Sequence, residues 1–172
     1  MTQLQKVKID GLLQTVNYNF AALGPIGADD GVGNLRVARF TFDTEAVDSD
    51  GVDNIDVGAH GTGVTIPAYA IIVGGFFDVN TPFGSAADSA TVAIRVEGAN
   101  DIQTATAVSG APYSTIGRKA IVPKANTPES TSIKTTVARE ITCTVAVQAL
   151  EVGKLTGYLY FVDGILSEAT SE

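Results

Sequence analysis

A chain of 172 residues, 45% apolar and 17% charged, suits a single domain that buries roughly 70% of the surface its unfolded chain exposes. One cysteine, Cys143, and one histidine, His60, exclude an intrachain disulfide and a Cys/His zinc cluster. The net charge of −8, with eleven Lys and Arg scattered along the chain, argues against nucleic acid or an anionic membrane as partner, because phosphate binding needs clustered cations.

No apolar run reaches the roughly 18 residues of a membrane span. The start, MTQLQKVKIDGLLQTV, lacks the basic head and apolar core of a secretory signal, so synthesis in a cytoplasm is expected. The low share of charge leaves neutral and apolar surface for a partner, and hints at an oligomer or a docked protein.

In chain order, residues 4–9 and 12–18 alternate polar and apolar around Asp10-Gly11, a two-residue hairpin signal of type I′ character. Residues 1–20 are therefore either a hairpin of the body or an arm reaching to a neighbour, and 21–172 form a single β-sandwich domain. Turn signals follow one another from 20 to 34, at Gly24-Pro25, Asp30-Gly31 and Gly33-Asn34. Leu35–Asp43 is a strand with Ala38, Phe40 and Phe42 on one face. Next comes a run of carboxylates, Asp43, Glu45, Asp48, Asp50, Asp53 and Asp56, with no Lys or Arg between them. So much like charge suits an open loop.

The stretch Thr65–Glu97 is expected to be the central strand pair. Ala68–Phe77, nearly free of polar side chains, reads as a strand buried on both faces. Asn80–Ser89 reads as the loop between the two. A second strand follows with Val92, Ile94 and Val96 on one face and Thr91, Arg95 and Glu97 on the other. Gly98–Gly117 is a long connection in which Asn100 or Asp101 would cap one helical turn over Ile102, Ala105 and Val108.

Lys119–Val122 and Ser132–Val137 read as short strands separated by Pro123, Asn126 and Pro128. Ile141, Cys143, Val145 and Val147 share the buried face of another, and Lys154–Asp163 closes the chain with Leu155, Leu159 and Phe161 opposite Tyr158, Tyr160 and Val162. Roughly seven to nine strands with almost no helix make an all-β fold, an antiparallel β-sandwich of jelly-roll kind with an N-terminal extended segment or hairpin.

Candidate chemistry is sparse. Asp48, Asp50 and Asp53 offer the hard oxygen ligands calcium takes, but the glycine and the closing glutamate of an EF-hand are out of place, and a solvated acidic loop is the plainer reading. His60, between glycines, reads as a surface residue of a flexible loop, lacking a sequence-evident nucleophile and orienting carboxylate. Cys143, on the apolar side of a strand, reads as core. There is no G-x-S-x-G elbow and no phosphate-binding glycine loop. No catalytic residue and no cofactor are expected. Phe40, Phe42, Tyr158 and Tyr160 read as core or subunit-interface residues, and Tyr113 as a loop aromatic that a carbohydrate-binding or hydrolytic sandwich would use.

The segments VTIPAYAIIVGGFFDVNTPF, SATVAIRVEGANDI, SGAPYSTIGRKAIVP and REITCTVAVQALEVGKLTGYLYFVDG, from Val64 to Gly164, resemble a group of tailed-bacteriophage virion proteins. That resemblance implies a small β-sandwich of the particle. It also implies a non-enzymatic capsid decoration (cement) protein on the outside of the shell, a homotrimer whose partners are the major capsid protein and its own copies. The alternative it leaves is a receptor- or glycan-binding fibre, spike or neck component. The shared motifs mark a fold, so no functional residue is carried over.

Overall fold

The computed structural model describes residues 2–9, 12–19, 35–124 and 132–162. The chain divides into two compact units, Met1–Leu35 and Arg36–Glu172. In the first, β1 (Thr2–Ile9) and β2 (Leu12–Asn19) pair antiparallel from Thr2↔Asn19 to Ile9↔Leu12. The Asp10-Gly11 turn, the turn signals of 20–34, Asn126, Pro128 and Asp163 lie outside the described residues.

The second unit is an antiparallel β-sandwich. Its strands are β3 (Leu35–Asp43), which begins at the unit boundary, β4 (Gly58–Ile66), β5 (Ile71–Gly84), β6 (Thr91–Arg95), β7 (Gln103–Ala107), β8 (Gly117–Ile121), β9 (Ile133–Lys134), β10 (Arg139–Ala146) and β11 (Val152–Val162). One sheet runs β4-β10-β6-β7; the other runs β3-β11-β5-β8, with β9 also paired to β5. The pairs are nested: β6 with β7 innermost, then β5 with β8, β4 with β10, and β3 with β11 outermost. A long hairpin rolled on itself in this way is a jelly roll. No helix occurs among the described residues.

Alternation of side chains drives the packing. Phe40 and Phe42 of β3, Ile72, Phe77 and Val79 of β5, and Leu155 and Leu159 of β11 are buried on one inner face. Val92 and Ile94 of β6 and Ile141, Cys143 and Val145 of β10 meet them from the other, in one core. Each such side chain contributes roughly 1.5–3 kcal/mol by leaving water.

Several expectations change. The Thr65–Glu97 stretch does not form a strand pair: β5 and β6 lie in different sheets, β5 between β11 and β8, β6 between β10 and β7. Ala68–Phe77 is not buried on both faces, because Val73 is 48% exposed and Phe76 half-buried. Pro67 follows β4, and Tyr69 turns the chain at φ 63° before β5 begins. Asn80–Gly84 continues that strand, since pairing reaches Val152↔Gly84.

The expected helical turn near Asn100 is instead a β-turn region leading to β7. Asp101, 3% exposed, accepts hydrogen bonds from the backbone N–H groups of Val96, Glu97 and Gly98 at 3.0, 2.8 and 2.9 Å. One carboxylate thus satisfies three backbone donors that precede it, where a helix cap would bond those that follow. Val147 is 73% exposed at φ 73°, because β10 has ended and the chain is turning. Ala38, Val92, Ile94, Val96, Leu155, Leu159 and Phe161 are buried as their alternation implies.

Candidate functional site

His60 lies on β4 and is 1% exposed, not on a flexible surface loop. Glycine-rich sequence suggested a loop, but Gly58–Gly61 pairs with Thr142–Val145 of β10, and the ladder holds residues with little strand preference of their own. His60 Nε2 is 2.8 Å from the Asp56 carbonyl oxygen and Nδ1 is 3.2 Å from Asp48 Oδ2. A carbonyl only accepts, so Nε2 is assigned as the donor to Asp56. The ring ties both halves of the 43–57 loop to the sheet.

Asp48 is the anchor of that loop. Its Oδ1 accepts from the N–H groups of Val52 and Asp50 at 2.8 and 2.9 Å, while Oδ2 faces His60. The Val52 N–H is the main cause holding the carboxyl below its ordinary 3.8; desolvation opposes it, and Asp50 N–H and the His60 ring add to the lowering. Asp50 and Asp53 are exposed, so the three candidate calcium ligands are not brought together: Asp48 turns inward and the other two face solvent. Among the described residues, no group of three or more His, Cys, Asp or Glu is placed to hold a metal ion.

Beside the loop is an open depression of about 350 Å³ lined by Thr41, Asp43, Asp48, Asn54 and Gly61 among others. Lys154 Nζ lies 2.7 Å from Asp43 Oδ2. That hydrogen bond is the largest influence lowering the Asp43 carboxyl and raising the Lys154 ammonium. Asn54 Nδ2 donates to the Asp43 carbonyl at 2.9 Å. The depression's carboxylates are thus committed to the fold.

Two other candidates are core residues. Tyr113 is 0% exposed, its ring 5.8 Å from that of Phe77 and 5.5 Å from that of Phe83. Burial, with a smaller influence from Cys143, raises its phenol well above 10.0. It cannot offer a ring to a sugar, which corrects the loop-aromatic reading. Cys143 is 0% exposed, and burial pushes its thiol far up. A thiol kept protonated is no nucleophile.

Of the aromatics that alternate along strands, Phe40 and Phe42 are core, 1% exposed each. Tyr158 and Tyr160 stand on the outer face of the five-stranded sheet instead. There Tyr158 pairs with Phe76 and Tyr160 with Gly74. The Phe76 and Tyr158 rings stack at 4.8 Å, and the Arg118 guanidinium sits 4.2 Å from the Phe76 centroid. Arg118 also meets Asp78 through two hydrogen bonds, at 3.1 and 3.0 Å. This is a half-open row across β11, β5 and β8. Tyr158 and Tyr160 were visible in the sequence as the polar-tipped side of β11; Phe76 was hidden inside an apolar run.

No protein-family profile and no curated protein matches the chain. Among solved structures, a chain of the Cyanophage Pam1 capsid asymmetric unit is similar at a TM-score of 0.51 and 16% identity, over 76% of this chain and 85% of that one. A chain in the acidic stable capsid structure of Helicobacter pylori bacteriophage KHP30 gives 0.49 and 11%, over 74% and 86%. A chain in the capsid of Ralstonia phage GP4 gives 0.49 and 16%, over 81% and 90%. The Pam1 likeness is one of fold: both chains share the sandwich.

Proposed function

We propose that the chain is a non-enzymatic structural protein of a tailed-bacteriophage virion. In this reading it decorates and stabilises the capsid shell as a homotrimer, with the major capsid protein and its own copies as partners. The observation that carries this reading is a jelly-roll body, alike in fold to a chain of a phage capsid asymmetric unit, whose reactive side chains serve packing. His60 staples a loop, and Cys143 and Tyr113 fill the core. The described residues of such a body offer surfaces for contact.

Stabilisation then follows from mass action. A protein that binds the assembled shell and not its dissociated parts raises the shell's stability by about 2.7 kcal/mol per site at 100 times the dissociation constant. The test is to mix the purified chain with expanded shells and image the particles. Ordered density on the shell surface and a raised shell melting temperature are expected. Density confined to fibres, spike or neck would assign the chain to the receptor- or glycan-binding alternative, and no binding to any particle would remove the virion reading.

A further inference from the structure

We propose that the outer face of the β3-β11-β5-β8 sheet receives the 43–57 loop of a second copy of this chain, head to tail. The inference rests on the homotrimer proposed above and names the two surfaces that would meet in it. The receiving face is aromatic and basic. Phe76, Tyr158 and Tyr160 form its centre, half-buried, and Val37 beside them is 56% exposed.

Three cations surround them. Arg39 alternates with the buried Phe40 and so points outward, exposed. Lys134 pairs with Ile71 while its neighbour Ile133 is buried opposite Ile72, which places Lys134 on the same outer side. The Arg118 side chain is 66% exposed. Arg39 and Lys134 make no ion pair among the described residues, and the carboxylates described on this side, Asp78 and, at the end of β3, Asp43, are already engaged by Arg118 and Lys154. On a chain of net charge −8, this face stands out as cationic.

The 43–57 loop has the opposite character. Glu45, Asp50, Asp53 and Asp56 are exposed and no Lys or Arg lies among them. Val47 and Val52 between them and Val57 just after them are 56%, 46% and 58% exposed. Valines at the surface among carboxylates make a knob both apolar and acidic, and apolar side chains so exposed gain by being covered. The His60 and Asp48 contacts hold the knob in shape before any partner arrives, so little ordering cost falls on binding.

Charge decides the arrangement. Face against face would bring Arg39, Arg118 and Lys134 toward their own copies, and loop against loop would oppose carboxylates; both are repulsive on an already anionic chain. Loop against face matches acid to base and valine to aromatic. The two surfaces differ, so the contact is heterologous, and a heterologous contact repeated by a rotation that closes makes a ring such as a trimer.

Sedimentation velocity on the full chain at micromolar concentration tests this with charge reversals at exposed positions. The wild type is expected to sediment as a homo-oligomer. R39E/K134E and D50K/D53K should each weaken self-association about tenfold or more, and the quadruple variant, with both surfaces reversed, should recover it. Wild-type far-UV circular dichroism and cooperative melting show that the variants fold, and the recovery in the quadruple variant cannot come from misfolding. An oligomer indifferent to both reversals overturns the proposal and leaves the homotrimer standing. A monomeric wild type overturns both. If R39E/K134E stays oligomeric but loses binding to shells, the face belongs to the shell and the proposal fails.

Discussion

The phenyl ring of Phe40, on β3, occupies the space that a Cβ on Gly157, on β11, would need. The two outermost strands of the roll therefore approach through a missing side chain, and Phe40 is 1% exposed as a result. Gly157→Ala is expected to cost about 1–3 kcal/mol, because the ring has no empty volume to move into. Gly74→Ala, where a Cβ meets nothing within 4 Å, should stay within about 0.5 kcal/mol of wild type. Urea unfolding of the two variants measures the contrast; equal costs would mean the ring can swing aside.

His60→Ala should destabilise by about 2–4 kcal/mol, from the cavity left by a buried ring and the orphaned Asp56 carbonyl. It should also open the 43–57 loop to limited proteolysis at rates where the wild type survives. A variant with wild-type melting and wild-type protease resistance would show that the ring fills space without holding the loop.

Calcium chelation should leave the melting temperature where it was. Asp48 Oδ1 already accepts from the Val52 and Asp50 N–H groups and Oδ2 is turned toward the buried His60 ring at 3.2 Å, so the loop has its own source of order. A fall in melting temperature with EDTA, reversed by added calcium, would instead assign Asp48, Asp50 and Asp53 to an ion.

Stability should fall with acid. The Arg118 hydrogen bond lowers Asp78 and the Arg139 hydrogen bond, with that of Thr136, lowers Glu97; Asp43 and Asp48 are lowered as described above. A carboxyl lowered by folding contributes stability that is present above its unfolded value, 3.8 for aspartate and 4.5 for glutamate, and is lost as pH falls through the lower folded value. Melting temperature is thus expected to be level between pH 7 and 5 on account of these groups and to drop below about pH 4. A melting temperature flat down to pH 2.5 would contradict the assignment.

Cys143 should be inert to Ellman's reagent in the folded protein and react at the rate of unfolding in denaturant. It is 0% exposed and its thiol is held protonated by burial. Fast reaction under native conditions would place it in a region that opens locally.

Strands whose alternation is clean were legible from sequence: β3, through Ala38, Phe40 and Phe42, and β11, through Leu155, Leu159 and Phe161. What could not be read was which strand lies beside which. The neighbours β5 and β6 in sequence share no ladder, because a short connection can cross between sheets as easily as turn within one. Nor was β4 visible, since its glycines and His60 acquire strand geometry from β10 and not from local preference. The His60–Asp48 contact joins residues twelve apart, and only the fold of the loop brings them together. Phe76 was obscured because a run of apolar residues has no visible period from which to tell its outer members from its inner ones.

The pairing of β3 with β11 has a mechanical consequence. Thr44 N–H donates to the Gly153 carbonyl at 3.0 Å, so the end of β3 lies at the start of β11, and the start of β3 lies near the end of β11. Pulling the body by those two chain ends would peel the ladder one hydrogen bond at a time. Tension between the start of β3 and the 43–57 loop instead runs along the backbone of β3 itself, which is already extended, and leaves the perpendicular ladder bonds unloaded. A body held by one of these points and loaded at the other carries the force in covalent backbone rather than in hydrogen bonds that unzip.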